Sequence, residues 1–166
     1  MAPRFELVAP ILSEVERFRP ELLVVEVVQG ERPLRGLLEQ VDWRLCGLIS
    51  RAMARGRITG ELGEMVLVGA GRHLRSRYLV LIGLGARDQA NSLNCNRLLD
   101  DIMAMCDGLK VESVALPLPG RSTGNVRPAT AGQLLNIRVG ERGLRAIAME
   151  QEELHAEVAA ALVAED

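Results

Sequence analysis

The sequence predicts an α/β fold in which a mixed, mainly parallel sheet is covered by helices on both faces. Short apolar runs rich in Val, Leu and Ile alternate along the chain with longer segments whose apolar residues recur every three or four positions. Strands that alternate with helices form parallel sheets with a helical layer on each side. The chain has 166 residues, of which 48% are hydrophobic. This is enough for one domain, which we expect to cover residues 1–166.

The first half of the chain predicts three strands and one long helix. Residues 21–30 (ELLVVEVVQG) form an apolar run closed by a glycine, as in a central strand. Residues 34–56 have the apolar spacing of a single amphipathic helix, with Gly56 just past its end. The runs 63–71 and 77–85 are predicted strands. Because too little chain separates them for a helical crossover, they should pair as an antiparallel hairpin.

The second half continues the alternation. A helix over residues 91–109 is predicted to begin with Asn91 or Ser92 as its N-cap. The prolines of the 111–120 run stand at its end, which suits a strand. The remaining predicted elements are a helix over 129–139, a strand over 144–149 and a helix over 151–165.

Hydropathy and net charge exclude several classes of protein. No apolar run approaches the ~18 residues of a membrane span, and the N-terminus lacks the apolar stretch of a signal peptide. We therefore expect a cytoplasmic protein without membrane contact. The formal net charge of −2 offers no general attraction to nucleic acid, so nucleic-acid binding is not expected.

Cysteine and histidine usage predicts neither disulfides nor a metal site. Cys46, Cys95 and Cys106 form no CxxC pair, and we expect them to be reduced and buried. His73 and His155 have no neighbouring Cys or His at ligand spacing. We therefore expect no bound metal and no cofactor.

Charge is unevenly distributed along the chain. Residues 44–87 carry eight arginines and two glutamates, whereas residues 139–166 carry two arginines and seven acidic residues. Such segments are either solvated surfaces or surfaces that attract a partner. We also expect Arg44, Arg51 and Arg55 to share one solvent-facing stripe of the first long helix, and Trp43 to be a packing residue.

One region has a recognisable pattern. The Gly-rich turn GRITGELGE (56–64) precedes two predicted strands, the second of which ends in LIGLG (81–85). Together with the preceding strand and helix, this order resembles the N-terminal domain of the leucyl aminopeptidase family, most specifically between Asp42 and Arg87. The resemblance implies a macro-domain-like, three-layer α/β fold. In that family the zinc ligands and the catalytic lysine and arginine belong to a separate C-terminal domain. We therefore carry over no catalytic or metal-binding residue and expect no aminopeptidase chemistry here.

The glycines of the LIGLG signature do not form a dinucleotide-binding motif. Gly83-Leu84-Gly85 begins a G-x-G-x-x-G pattern, but Asp88 stands where the third glycine should be. We therefore expect Gly83 and Gly85 to serve the tight end of a strand.

The segment PLPGRSTGNVRP (117–128) is the best candidate ligand loop. It follows a predicted parallel strand and precedes a helix, which is where open α/β sheets place ligands. Macro domains bind the diphosphate of ADP-ribose with a strand-to-helix loop in this place, and STGNVRP is similar to that loop. The candidate ligand-binding residues are Gly120, Arg121, Ser122, Thr123, Gly124, Asn125 and Arg127. Against this interpretation, Glu31 lies in the first predicted loop and no aromatic residue stands near to stack on an adenine. A solvated connecting loop is the alternative.

The same loop also matches the serine-hydrolase pattern G-x-S-x-G, with Ser122 as nucleophile and Glu141 and His155 as partners in sequence order. This is the weakest of three hypotheses. The leading one is a non-catalytic domain that acts in protein interaction or regulation, with a protein partner or a homo-oligomer. The second is a module that binds a nucleotide or an ADP-ribose-like anion.

Overall fold

A computed structural model describes residues 4–163. Within this range the chain forms one six-stranded sheet, whose strand order is β1-β6-β5-β2-β4-β3. The strands are β1 (Phe5–Val8), β2 (Leu22–Val28), β3 (Met65–Val68), β4 (Tyr78–Gly85), β5 (Ser113–Pro117) and β6 (Arg145–Met149). The helices are α1 (Leu12–Arg17), α2 (Gly36–Arg44), α3 (Leu48–Ala54), α4 (Ser92–Leu109), α5 (Pro128–Gly140) and α6 (His155–Val163).

The sheet is mixed and mainly parallel, as predicted. Every neighbouring pair is parallel except β3 and β4. In that hairpin Met65 lies opposite Ile82 and Val68 opposite Leu79, which confirms the predicted antiparallel pairing. All five parallel strands consequently end at the same edge of the sheet, which we call the carboxyl edge.

Helices cover both faces of the sheet, and each face has its own apolar core. Alternate residues of β2 point to opposite sides, so Leu22 and Val24 pack with α4, α5 and α6. Leu23 and Val25 pack with α1, α2 and α3 on the other face. The predicted three-layer α/β architecture is confirmed.

The single helix predicted over residues 34–56 is wrong. The chain breaks between α2 and α3, where Cys46 and Gly47 adopt φ values of 55° and 78°. The carboxylate of Asp42 then accepts the backbone N–H groups of Ile49 at 2.9 Å and Ser50 at 3.0 Å. Apolar spacing missed the break because it continues in phase across Gly47 while the backbone turns.

The break also changes the expected surface of this region. Arg44 ends α2 and pairs with Glu16 of α1 at 3.1 Å, whereas Arg51 lies on α3. They therefore do not form the predicted single stripe. Trp43 is 84% exposed rather than packed. Cys46 is exposed, contrary to expectation, while Cys95 and Cys106 are buried thiols as predicted.

The two ends of the chain differ from the prediction in smaller ways. β1 and α1 were not predicted, and β1 adds a parallel strand beside β6. The last predicted helix begins with a 3₁₀ turn over Glu152–Leu154 before α6, and its residues 164 and 165 lie outside the described residues. Among residues 4–163, no helix combines the length and the apolar character that a membrane crossing requires.

Candidate functional site

A cleft opens at the carboxyl edge of the sheet, above the ends of β2, β5 and β6. Its volume is about 390 Å³, within the usual range of small-molecule sites. One wall is the 118–127 loop after β5, and the opposite wall is the loop between β2 and α2. Six charged side chains line it: Glu26, Glu31, Arg35, Arg87, Arg121 and Glu150.

The 118–127 loop is a series of tight turns that packs against buried side chains beneath it. Gly120 has a φ of 72°, and a Cβ there would lie 3.1 Å from the Cys95 sulfur and run into the Val126 side chain. Val126 is itself buried. The loop is therefore anchored from below, and α5 starts directly after it with Pro128 in its first turn.

Arg121 is held by the protein rather than free to meet a ligand. Its Nε donates to Glu150 Oε2 at 2.7 Å, and its Nη1 donates to the carbonyl of Val126 at 2.9 Å. The Glu150 side chain is only 5% exposed. The pair thus ties the loop to the end of β6, and Arg121 brings no net charge to the cleft.

Ser122 and Glu26 form the second contact between loop and sheet. The hydroxyl of Ser122 donates to Glu26 Oε2. Burial raises the pKa of Glu26 to about 7, the hydrogen bond from Ser122 opposes this, and the charge of Glu150 adds to it. Burial, together with the charge of Glu26, also raises the pKa of the Cys95 thiol to about 12, so this thiol stays protonated beneath the loop.

The remaining candidate residues of the loop do not line the cleft. Thr123 donates to the carbonyl of Gly120 at 3.2 Å, and Asn125 donates to the carbonyl of Arg87 at 2.6 Å. Gly124 lies at an exposed turn with a φ of 76°. Arg127 is exposed at the start of α5 and does not line the cleft. Of the seven predicted residues, Arg121 and Ser122 are therefore the two that face it.

The facing wall contributes charges that the sequence argument did not select for binding. Arg87 pairs with Glu31 at 2.7 Å, so these two charges neutralise each other. Arg35 is exposed at the start of α2 and makes no ion pair with any residue in the range 4–163. A usable signal existed for Glu26, because it is a lone charge inside the apolar run of β2. None marked Arg35.

Gly85 has the role at the tight end of a strand that was predicted for both glycines, whereas Gly83 permits a close contact between two backbone segments. The backbone of residues 60–64 crosses so close to β4 that a Cβ on Gly83 would collide with the carbonyl of Glu61. Gly85 has a φ of 72° and would collide with Gln89 if it carried a Cβ. The two glycines therefore allow the turn formed by residues 60–64 (the GELGE turn) to pack directly against the end of β4.

The predicted serine-hydrolase triad is not formed. Glu141 follows the end of α5, which leads away from the loop to the edge where β6 begins. The Nε2 atom of His155 lies 2.7 Å from the carbonyl oxygen of Glu150. Within residues 4–163, no three His, Cys, Asp or Glu side chains cluster closely enough to hold a metal ion.

The sheet order, the helical layers and the carboxyl-edge cleft define a macrodomain fold. The macrodomain of Thermus aquaticus DarG matches with 20% identity and a TM-score of 0.67, over 89% of this chain and 98% of that chain. Thermosipho africanus DarTG in complex with ADP-ribose matches with 15% identity and a TM-score of 0.62, over 81% of this chain and 39% of that one. A tomato leucine aminopeptidase mutant matches with 17% identity and a TM-score of 0.59, over 95% of this chain and 35% of that chain.

Sequence comparison then gives the family. The model of the cytosol aminopeptidase family, N-terminal domain, matches residues 24–141, and the chain belongs to this family. A probable cytosol aminopeptidase of Pseudomonas fluorescens (strain Pf0-1) is 28% identical over 113 residues, which are 68% of this chain and 22% of that protein. The chain thus matches about a fifth of the length of this curated relative. The resemblance stated from the GELGE and LIGLG segments is confirmed.

Proposed function

We propose that this domain is a non-catalytic binding module whose carboxyl-edge cleft takes a small nucleotide-like anion of the ADP-ribose kind. The observation that carries the proposal is the position of Arg35 at the mouth of a cleft of about 390 Å³, where it makes no ion pair with the part of the chain that the structure describes. We place the protein in the cytosol, in keeping with the family to which it belongs.

Two features of the cleft and one structural neighbour support an anionic ligand. The guanidinium of Arg35 is free to form charge-assisted hydrogen bonds with a phosphate. Gly36 and Leu37, the first residues of α2, line the same wall, and the free N–H groups of a helix start favour negative charge. Thermosipho africanus DarTG, of which 39% matches this fold, has been solved in complex with ADP-ribose.

In this proposal, the ion pairs of the cleft hold its walls in place and do not bind the ligand. Arg121 and Glu150 fix the 118–127 loop, and Arg87 and Glu31 fix the opposite wall. Because these charges cancel in pairs, they shape the cleft without repelling or attracting the ligand strongly. Arg35 and the start of α2 therefore supply most of the attraction for phosphate.

Calorimetric titration with ADP-ribose tests the proposal. We expect saturable binding with a dissociation constant of roughly micromolar size. Arg35→Ala should weaken it by about tenfold or more, since a hydrogen bond to a charged group contributes about 1.5–3 kcal/mol. The matched control is Arg72→Ala, which removes the same charge from the exposed loop between β3 and β4, at the opposite edge of the sheet. Absence of heat at millimolar ligand would rule out the proposal.

A specific observation also favours the second candidate function, protein interaction. Trp43 is 84% exposed on α2, beside a groove that it lines with Leu12, Ser13 and Glu39. Tryptophan is enriched at the centres of protein interfaces, where its truncation commonly costs 2 kcal/mol or more. An exposed side chain of this size is a natural anchor for a partner protein or a second copy of the chain.

Two copies of the chain could associate through Trp43 or through their oppositely charged segments. Sedimentation of the wild type and of Trp43→Ser distinguishes these two possibilities. Association through Trp43 should persist at high salt and be lost in the variant. Association between the oppositely charged segments should weaken as salt is added and survive the substitution. A monomer under all of these conditions would remove self-association and leave only a different protein as partner.

A further inference from the structure

Glu26 stands at the centre of the cleft. It belongs to β2, which lies between β4 and β5 in the middle of the sheet, and its side chain is partly buried. One carboxylate oxygen, Oε2, accepts the hydroxyl of Ser122. No hydrogen bond to Oε1 is formed by any residue between 4 and 163, although Glu26 lines the cleft. The carboxyl group is therefore placed where a ligand would meet it.

The charged and titratable groups around Glu26 come from every element that borders the cleft. The loop after β5 contributes Arg121, the end of β6 contributes Glu150, and α4 contributes the Cys95 thiol from below. The loop after β2 and the start of α2 contribute Glu31 and Arg35, and the loop after β4 contributes Arg87.

Most of these charges are already balanced without Glu26. Glu150 is paired with Arg121, and Glu31 is paired with Arg87. The thiol of Cys95 is neutral because burial raises its pKa to about 12. Among residues 4–163, the carboxylate of Glu26 therefore faces a single cleft arginine that makes no ion pair, Arg35. An entering anion would compete with the carboxylate for that cation.

We propose that the cleft binds its anionic ligand together with one proton, which is taken up by the carboxyl group of Glu26. This inference rests on the proposed anion-binding function and adds a pH dependence to it. An anion in the cleft repels the carboxylate form and leaves the protonated form unopposed, so ligand and proton favour each other. When protonated, Glu26 also gains an O–H group that can donate to the ligand.

The direction and size of the effect follow from where Glu26 titrates. Burial already raises the pKa of Glu26 to about 7, so the empty cleft contains both forms at neutral pH. A bound anion raises the pKa further. Affinity should consequently be about tenfold higher near pH 6 than near pH 8.5. Near pH 7.5, roughly half a proton should enter with each ligand.

The test is calorimetric titration with ADP-ribose between about pH 6 and pH 8.5. ADP-ribose suits this test because both of its phosphates are esterified and joined to each other, so neither changes its charge between about pH 6 and pH 8.5. A phosphate monoester, in contrast, titrates near pH 6 and would add its own pH dependence. At about pH 7.5 the experiment is repeated in two buffers of different ionisation enthalpy. The difference in heat gives the number of protons taken up by the wild-type protein itself, without any variant.

Two variants locate the proton. Glu26→Gln keeps an acceptor for Ser122 and removes the titration, so its affinity should be the same across the pH range and its proton uptake should vanish. His155→Gln is the matched control, because it also replaces an ionisable side chain with glutamine, and this ring contacts the Glu150 carbonyl without lining the cleft. Its pH profile should match that of the wild type.

The outcomes separate this inference from the function on which it rests. Binding to the wild type with equal affinity at both pH values and no proton uptake would overturn the proton coupling and leave anion binding intact. A pH profile that becomes flat in His155→Gln but not in Glu26→Gln would also overturn it. Absence of binding at every pH would overturn both proposals together.

Discussion

Glu26 is the residue at which the sequence and the fold conflict most clearly. It is a charged residue within the apolar run of β2, and its side chain points to the same face as that of Val24, which is fully buried. The carboxyl group is therefore poorly hydrated in the folded protein, and its charged form is disfavoured. A binding site that uses this group must accept a loss of stability whenever it is ionised.

This loss gives a prediction for stability against pH. The pKa of Glu26 is about 7 in the folded protein and near 4.5 when unfolded. A raised carboxyl pKa means that the folded state holds its proton longer, so the wild type loses stability as pH rises from 4.5 through 7. Glu26→Gln should therefore be more stable than the wild type by about 1–3 kcal/mol near pH 8. Below about pH 4.5 the two should be equal.

Urea unfolding at both pH values checks this expectation. Glu157→Gln is the control, because Glu157 is an exposed glutamate of α6, and this variant should follow the wild type. A Glu26→Gln protein that gains no stability at about pH 8 would show that the carboxylate is well hydrated in the folded state.

Arg121 shows why the identity of a loop residue does not reveal its role. The sequence selected Arg121 and Arg127 as candidate ligand-binding residues, which would make them the first choice for a binding test. In the structure, loss of Arg121 leaves the buried carboxylate of Glu150 without its cation, and breaking such a pair costs about 3–5 kcal/mol. Arg35 is therefore the better residue for a binding test.

Among the elements, the junction of α2 and α3 is the one that sequence spacing described wrongly. Asp42 lies in α2 but caps α3, since its carboxylate accepts from the first turn of that helix. The same residue thus belongs to one helix and caps the next.

Asp42→Ala should therefore destabilise the protein by about 1–2 kcal/mol, the usual cost of a lost helix cap. Glu39→Ala provides the control, because Glu39 is exposed on the same helix and its loss should change stability by less than about 0.5 kcal/mol. Both are measured by urea unfolding. An Asp42→Ala protein as stable as the control would mean that the turn at Gly47 alone holds the junction.

The GELGE turn makes a second prediction at this scale. Gly83→Ala places a methyl group against the carbonyl of Glu61, and such overpacking typically costs about 1–3 kcal/mol. Gly69→Ala is matched to it, because a Cβ on Gly69 meets nothing within 4 Å. In chemical denaturation the first variant should lose stability and the second should not. Equal stability of the two would show that the 60–64 segment is not held against β4.

These elements also show how far the sequence alone could predict the fold. Apolar periodicity located β2, the β3–β4 hairpin, α4, α5 and β6, because burial on the sheet imposes that periodicity. It did not find β1, whose four residues are mostly half-buried at an edge. It also missed the turn at Gly47, because backbone conformation there is set by a single residue and by Asp42.

The candidate site was less predictable than the fold. Its location followed from topology, since loops at the carboxyl edge of a parallel sheet form ligand sites. Its electrostatics did not, because pairs such as Arg87 with Glu31 join residues 56 positions apart in sequence. Which of the three cleft arginines makes no ion pair within residues 4–163 can be read only from the folded chain.

In the whole molecule, parts of the two charged segments lie at opposite ends of the sheet. The arginines at positions 72, 75 and 77 precede β4 beside the β3 edge. At the other end, Glu152, Glu153 and Glu157 lie on the 3₁₀ turn and on α6, which packs on α5 and β1. Charge pairing between copies would therefore be head-to-tail, and such contacts build open chains or rings rather than a two-fold dimer. This geometry makes the charged segments less suited to a compact dimer than the surface around Trp43.

A crystal structure with ADP-ribose bound would show whether the carboxyl-edge cleft is the ligand site. We expect the diphosphate between the 118–127 loop and α2, with phosphate oxygens about 3 Å from the guanidinium of Arg35. We also expect Arg121 to remain paired with Glu150. A ligand bound elsewhere on the domain, or a diphosphate in the cleft without a contact to Arg35, would show that the proposed site is wrong.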